Sequence, residues 1–211
     1  MRVLVACEFS QIVTQAFRNR GHEAFSCDLL PTEGNQDWHI QADVLTILDQ
    51  GWDMMIAHPD CTYLAVTGAK WFYHPDDKQL PTNQRRPHPK FPNRRQHQQQ
   101  AIDFFMALVN APINKICIEN PVSIMSTVYR KPDQIITPTQ FGHPEPKKTC
   151  LWLKNLPPLI PTSIIEPEYH LTKSGKRVPA WFFLPSPSES RSKDRKRTFT
   201  GIAEAMASQW G

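Results

Sequence analysis

No apolar run in the sequence is long enough to cross a bilayer, which excludes a membrane-spanning helix. Its five cysteines (Cys7, Cys27, Cys61, Cys117 and Cys150) are odd in number, widely spaced and without a CxxC pair. That pattern argues against a disulfide framework and a cysteine-rich zinc site, and for a reducing, cytoplasmic setting. Proline is nearly missing from the first part of the chain: of 20 prolines, only Pro31 precedes Pro59. Lys and Arg are scarce there too, with three against nine Asp and Glu over residues 1–69. Internal repeats are missing, and residues 2–6 open on a strand-like run where a signal peptide would begin, so none is expected. What is present is 40% hydrophobic and 10% aromatic residues over 211 positions, enough for the core of one domain.

The overall charge of +4 conceals two basic blocks. Residues 70–97 carry seven Lys/Arg against two acids, and residues 147–211 carry eleven against five. Both blocks fall in proline-rich stretches, where mobile cations suit phosphate contacts, or else a solvated surface. The acidic first third has a different rhythm. Residues 3–6 read as a buried strand. Ser10 is placed to cap a helix through Arg20, with Ile12, Val13, Ala16 and Phe17 on one face and Gly21 at its end. Strands are expected at 23–27, 39–43 and 54–58, with a short helix at 44–50. A helix at 98–110, further strands at 115–119, 135–139 and 150–153, and a closing helix at 201–210 complete the series. Alternating strands and helices of this length predict an α/β fold: an open, mostly parallel sheet of about seven strands with helices on both faces. Residues 74–97 fit no regular element and read as a mobile basic lid. Residues 155–190 also read as irregular.

Ligands of such sheets bind at the carboxyl ends of the strands. The residues found there are Cys7-Glu8-Phe9-Ser10 after the first strand, Asp28 after the second and Asp43 after the third. His58-Pro59-Asp60-Cys61 follows the fourth and Glu119-Asn120-Pro121 the fifth. Asp28 and Asp43 are suited to ribose hydroxyls and an adenine amino group; taken singly, each reads equally as a loop cap. Cys61 precedes Thr62 in a context that fits a helix cap or turn, where a thiol can be activated. Cys7, Cys27, Cys117 and Cys150 read as small buried apolar residues. His39, His58, His74 and His88 read as polar loop residues, and no metal site is expected.

In this order the motifs resemble those of the DNA cytosine-5 methyltransferases, in a short phage or prophage form, over essentially the whole chain. The resemblance implies a Rossmann-like class I methyltransferase domain spanning 1–211, with S-adenosyl-L-methionine as methyl donor and DNA, single- or double-stranded, as partner. It implies Cys61 as the nucleophile that adds to cytosine and Glu119 as the acid at the base's Watson–Crick edge. Lys147 and Thr149, in the segment 141–149, would assist. Cys7, Glu8, Phe9, Ser10, Asp28, Asp43, Pro59 and Gly201 would surround the donor. Arg85, Arg86, Arg94, Arg95 and Lys148 would contact phosphates. Residues 155–195 match a reduced recognition region and 196–211 a closing helix over the donor. A phage origin would place it in the host cytoplasm.

Three departures accompany the resemblance. Gln11 stands where a glycine is expected, Asp60 separates Pro59 from Cys61, and Lys147 and Thr149 replace two spaced arginines. An acid beside the thiol is expected to raise its pKa. A catalytically weak or inactive binding homologue, an exocyclic amino methyltransferase and an enzyme for free cytosine nucleotides stay open as alternatives.

Overall fold

The structure, a computed structural model, describes residues 1–172, 174–180 and 197–211. Lys173 and residues 181–196 lie outside the described residues. They take with them part of the expected recognition region and the first residue of the expected closing segment.

Seven strands form one sheet: β1 (Arg2–Ala6), β2 (Glu23–Asp28), β3 (His39–Gln41), β4 (Met54–Ala57), β5 (Lys115–Pro121), β6 (Gln134–Ile136) and β7 (Thr149–Lys154). Their order is β3-β2-β1-β4-β5-β7-β6. All neighbours from β3 through β5 pair in parallel, whereas β7 runs antiparallel to both β5 and β6. This is the expected α/β class, an open, mostly parallel, Rossmann-like sheet. Its topological switch point falls between β1 and β4.

Alternation along β1 explains how the sheet is covered. Val3 and Val5 face one core, which also holds Val13, Ala16 and Phe17 of α1 (Ile12–Arg18) and Ile202, Met206 and Trp210 of α4 (Thr200–Trp210). Leu4 and Ala6 face the other, with Phe105 and Leu108 of α2 (Arg94–Val109) and Met125 of α3 (Met125–Val128). With helices on both faces, β4 has no solvent side, and all four of its residues are buried.

Several expected boundaries move, each for a local reason. The third strand stops at Gln41 and the expected 44–50 helix contracts to a single 3₁₀ turn, Val44–Thr46, because the Asp43 carboxylate accepts from the Leu45 amide and caps that turn. The sixth strand ends at Ile136, ahead of a 3₁₀ turn that opens on Pro138. Helix α2 starts at Arg94, earlier than expected, so two lid arginines lie on a helix. The lid itself is structured: 3₁₀ turns at Pro75–Asp77 and Thr82–Gln84, a bridge between Tyr73 and Pro87, and an Arg86–Asp77 ion pair at 2.6 Å. A hairpin of β8 (Tyr169–Leu171) and β9 (Arg177–Pro179) occupies part of the stretch expected to be irregular.

Ser10 is not the N-cap residue of α1, although its hydroxyl accepts from the Ile12 amide at 3.5 Å. The position before the helix is Gln11, in the left-handed region at φ +59°. The capping is done by Glu8, which is buried. Its carboxylate accepts from the Val13 amide at 2.7 Å, the Thr14 amide at 3.2 Å and the Thr14 hydroxyl at 2.7 Å. An anion at a helix amino end satisfies its free N–H groups and faces the positive end of its dipole.

Candidate active site at the carboxyl ends of β1, β4 and β5

His58 follows β4 directly, and its backbone still bonds to Ala6. Pro59 is buried and accepts a 2.9 Å hydrogen bond from the Asn120 amide side chain, which ties the end of β4 to the end of β5. The Asp60 carboxylate folds back to accept from the amide of Thr62 at 3.1 Å and its hydroxyl at 2.7 Å. Cys61 therefore opens a turn, not a helix, and gains no helix dipole. The chain beyond it is clipped to the strand-five side. Ala65 bridges Ser123, Val66 donates to the Val122 carbonyl, and Ile124 donates to the Leu64 carbonyl. The two expected motifs, remote in sequence, are thus one structural unit.

Glu119 lies within it, its side chain 18% exposed. Its Oε2 is 3.1 Å from Nδ1 of His58, whose side chain is 8% exposed. The register of β5 and β7 sets Thr149 opposite Pro121, two residues along from Glu119, where its hydroxyl hydrogen-bonds the carboxylate. Burial raises the Glu119 pKa, but His58, Lys147 and Thr149 outweigh it and hold the carboxyl below its ordinary value. Cys61 goes the other way. Burial, then Asp60 and Glu119, push the thiol above its ordinary value, and Lys147 only partly offsets them. Cys61, Glu119, Lys147 and Thr149 are therefore electrostatically coupled members of one site. His58, read in the sequence as a polar loop residue, belongs to it. Its Nε2 is buried without a hydrogen-bond partner.

Beside this site the ends of β1, β2 and β3 form a crevice. Burial raises the Cys7 thiol most, and Asp28, Asp43 and Asp60 add to it electrostatically, which puts all three carboxylates on its side of the sheet. Asp28 accepts from the Leu30 amide through Oδ1 at 2.9 Å, and Asp43 uses only Oδ1 for its cap, so each retains a second oxygen. Glu8 has both oxygens committed to α1 and offers the crevice nothing. Ser10 and Phe9 are half-buried in the same turn, and the Phe9 carbonyl accepts from Thr32 and Glu33. Gln11, standing where a glycine is expected, staples the neighbouring loop. Its side chain bonds Ser26 at 3.0 Å and both backbone groups of Asn35 at 2.8 and 2.7 Å. Gly34 packs so tightly on that amide that a Cβ there would collide with it.

Other expected site residues lie elsewhere. Gly201 opens α4 against the 141–143 turn. Its amide donates to His143 at 3.0 Å, and a Cβ would strike the Phe141 carbonyl, which is a packing reason for glycine there. Arg85 donates to the Leu80 and Lys78 carbonyls, Arg86 is held by Asp77, and buried Arg94 donates to the Thr62 carbonyl at 2.7 Å. These three arginines are engaged within the chain, as is exposed Arg95, which donates to the Tyr73 hydroxyl; Lys148 is exposed. A cavity of about 320 Å³, lined by Val109, Tyr129 and Trp152 among others, lies near the amino end of β5 and includes none of the site residues.

No family model matches the chain, and no curated protein does. Among solved structures it is similar to a candidate DNA modification methyltransferase encoded within an E. coli prophage, at 13% identity and a TM-score of 0.44. The match covers 79% of this chain and 52% of the other, so the chain spans about half the length of that protein.

Proposed function

We propose that the protein is an S-adenosyl-L-methionine-dependent methyltransferase acting at carbon 5 of cytosine in DNA, with Cys61 as nucleophile. The observation that carries this reading is the part-buried, electrostatically linked group of Cys61, Glu119, His58, Lys147 and Thr149 at the carboxyl ends of β4 and β5. A thiol near a part-buried carboxyl is the pair such chemistry requires. Addition of the thiolate to carbon 6 forms a C–S bond and pushes the ring's electrons toward N3 and carbon 5. Glu119, when protonated, donates to N3 and takes up that charge. Its partner His58 holds the carboxyl in place and can restore its proton. Lys147 lowers the cost of charge on Cys61 and Glu119 alike.

The methyl donor supplies an electrophilic methyl group. The free oxygens of Asp28 and Asp43 and the shared crevice at Cys7 fit its nucleoside half: Asp28 would hold the ribose and Asp43 the adenine amino group. Phe9 and Ser10 follow β1 and Pro59 follows β4, at the same end of the sheet. Glu8 and Gly201 are left outside this assignment by the contacts they already make.

The test is trapping. DNA containing 5-fluorocytosine blocks the elimination that would release the enzyme, because carbon 5 then carries fluorine in place of a removable proton. A covalent complex that forms with the donor and disappears in Cys61→Ala supports the reading; an adduct that survives the substitution removes Cys61 from it. A second reading, a protein that binds donor or DNA without transferring the methyl group, draws support from the raised thiol and the lowered carboxyl. Donor binding with no trapped complex would select it.

A further inference from the structure

We propose that the rings around Trp71 and Phe91 are a base-stacking platform, and that the DNA it takes is a single strand. This names the substrate class for the Cys61 site and rests on the methyltransferase reading for its purpose. The platform itself stands on separate observations.

Trp71 and Phe91 are 38% and 43% exposed, large apolar rings presented to solvent within the first basic block. They pack on one another and on buried His88. Trp71 meets Phe91 edge-on at 5.6 Å and His88 at 5.2 Å, while His88 stacks on Phe91 at 5.3 Å. The Lys70 ammonium lies 4.9 Å from the Trp71 ring centre, and exposed Lys90 adjoins Phe91 in sequence. The guanidinium of exposed Arg95 lies over the Tyr73 ring at 5.0 Å and donates to the Tyr73 hydroxyl. Within this segment Asp77 is neutralised by Arg86. Rings packed on one another, with cations alongside, match what a nucleic acid strand offers: flat apolar bases and regularly spaced phosphates.

A duplex hides the faces of its bases in its own stack and presents only their edges, which are read by helices or ribbons in a groove. The 66–92 segment contains neither, only short 3₁₀ turns. A single strand exposes base faces to the rings and phosphates to the cations together. The segment also begins at the right place. It leaves the Cys61 turn directly and is clipped by the Ala65–Ser123 bridge to the chain just past Glu119. A strand lying on Trp71 and Phe91 therefore rests on the segment that leads directly out of the Cys61 turn, and an unpaired cytosine needs no extrusion from a helix.

The experiment measures binding of the full chain, without methyl donor, to a fluorescently labelled single strand, to its perfect duplex and to an abasic strand of equal length. The single strand is expected to bind about tenfold or more tightly than either of the others, and Trp71→Ala or Phe91→Ala to weaken it about tenfold. Trp71→Phe, which keeps a ring, is expected to retain most of the affinity, and an unchanged far-ultraviolet circular dichroism spectrum of the alanine variants shows that their loss is not loss of fold. Equal or tighter binding of the duplex or the abasic strand would overturn the proposal, as would alanine variants that bind like the parent. Ring-dependent binding without a trapped adduct would leave the platform standing and remove the methylation reading. A trapped adduct with ring-independent binding would do the reverse.

Discussion

At the scale of single residues, the site combines a thiol pushed up with a carboxyl held down, so at neutral pH the majority form is thiol plus carboxylate. Reaction needs the opposite arrangement, thiolate plus carboxylic acid, which carries the same number of protons. Its share of the population therefore does not change between the two titrations, and the rate of adduct formation is expected to show a broad plateau with pH. The acid limb marks protonation of the pair to thiol plus carboxylic acid. Replacing His58 with Asn removes the partner that most lowers Glu119, so the carboxyl rises and the acid limb moves to higher pH; a limb that stays put would show His58 to be uninvolved. Asp60→Asn keeps the turn to Thr62 but deletes the negative charge beside the thiol. The Cys61 pKa is expected to fall, and alkylation of Cys61 by iodoacetamide near pH 8 to become several-fold faster. Peptide mapping separates it from the other four thiols. Cys61, Asp60 and Glu119 were legible in the sequence because they follow apolar strands at the sheet's ligand-binding end. His58 was not, because a histidine after a strand carries no signal of its own. Its meaning comes from a partner 61 residues away.

At the scale of elements, the parallel strands were legible because buried strands leave continuous apolar runs between turn residues. The short 3₁₀ turns were not, since several are capped by a single side chain, such as Asp43 on Leu45 or His74 on Asp76. Helix α1 is the plainest case. Its seven residues were readable by their spacing, but its cap was assigned to Ser10 when the work falls to Glu8. Glu8 precedes the helix by too many positions for the usual cap rule, and only the left-handed bend at Gln11 brings it back. Glu8→Ala is expected to destabilise the fold by about 1–2 kcal/mol, the cost of losing a helix cap, observable as a lower midpoint in urea with little change in slope. An unchanged midpoint would mean that solvent replaces the carboxylate without penalty. The aromatic cluster was illegible for a related reason. Trp71 lies far along the chain from His88 and Phe91 in a proline-rich segment, with no periodicity to reveal that they meet.

At the scale of the whole molecule, the charge map read from the sequence is given a direction. Asp28, Asp43 and Asp60, three acids of the first third, act on Cys7 at the carboxyl end of β1, whereas the exposed lysines of the basic block, Lys70, Lys78 and Lys90, lie on the segment that carries the rings beyond Cys61. If those three neutralise phosphates of a single strand, the logarithm of affinity is expected to fall with the logarithm of salt at a slope of about −2. Lys90→Ala should reduce that slope by roughly one third while leaving dependence on the rings intact. A slope near zero would remove the phosphate contacts. The order of the strands carries one more consequence. Strand β7 lies between β5 and β6, and α4 covers the face of β1 on which α1 packs. A chain emerging from the ribosome through residue 121 has made five parallel strands but has nothing for the open edge of β5, and the apolar side of α1 lacks its cover until residues 200–210 arrive. Folding therefore waits on late-synthesised segments. Until then the nascent chain presents an adhesive strand edge and an uncovered core, and it depends on holding chaperones or on rapid completion of synthesis.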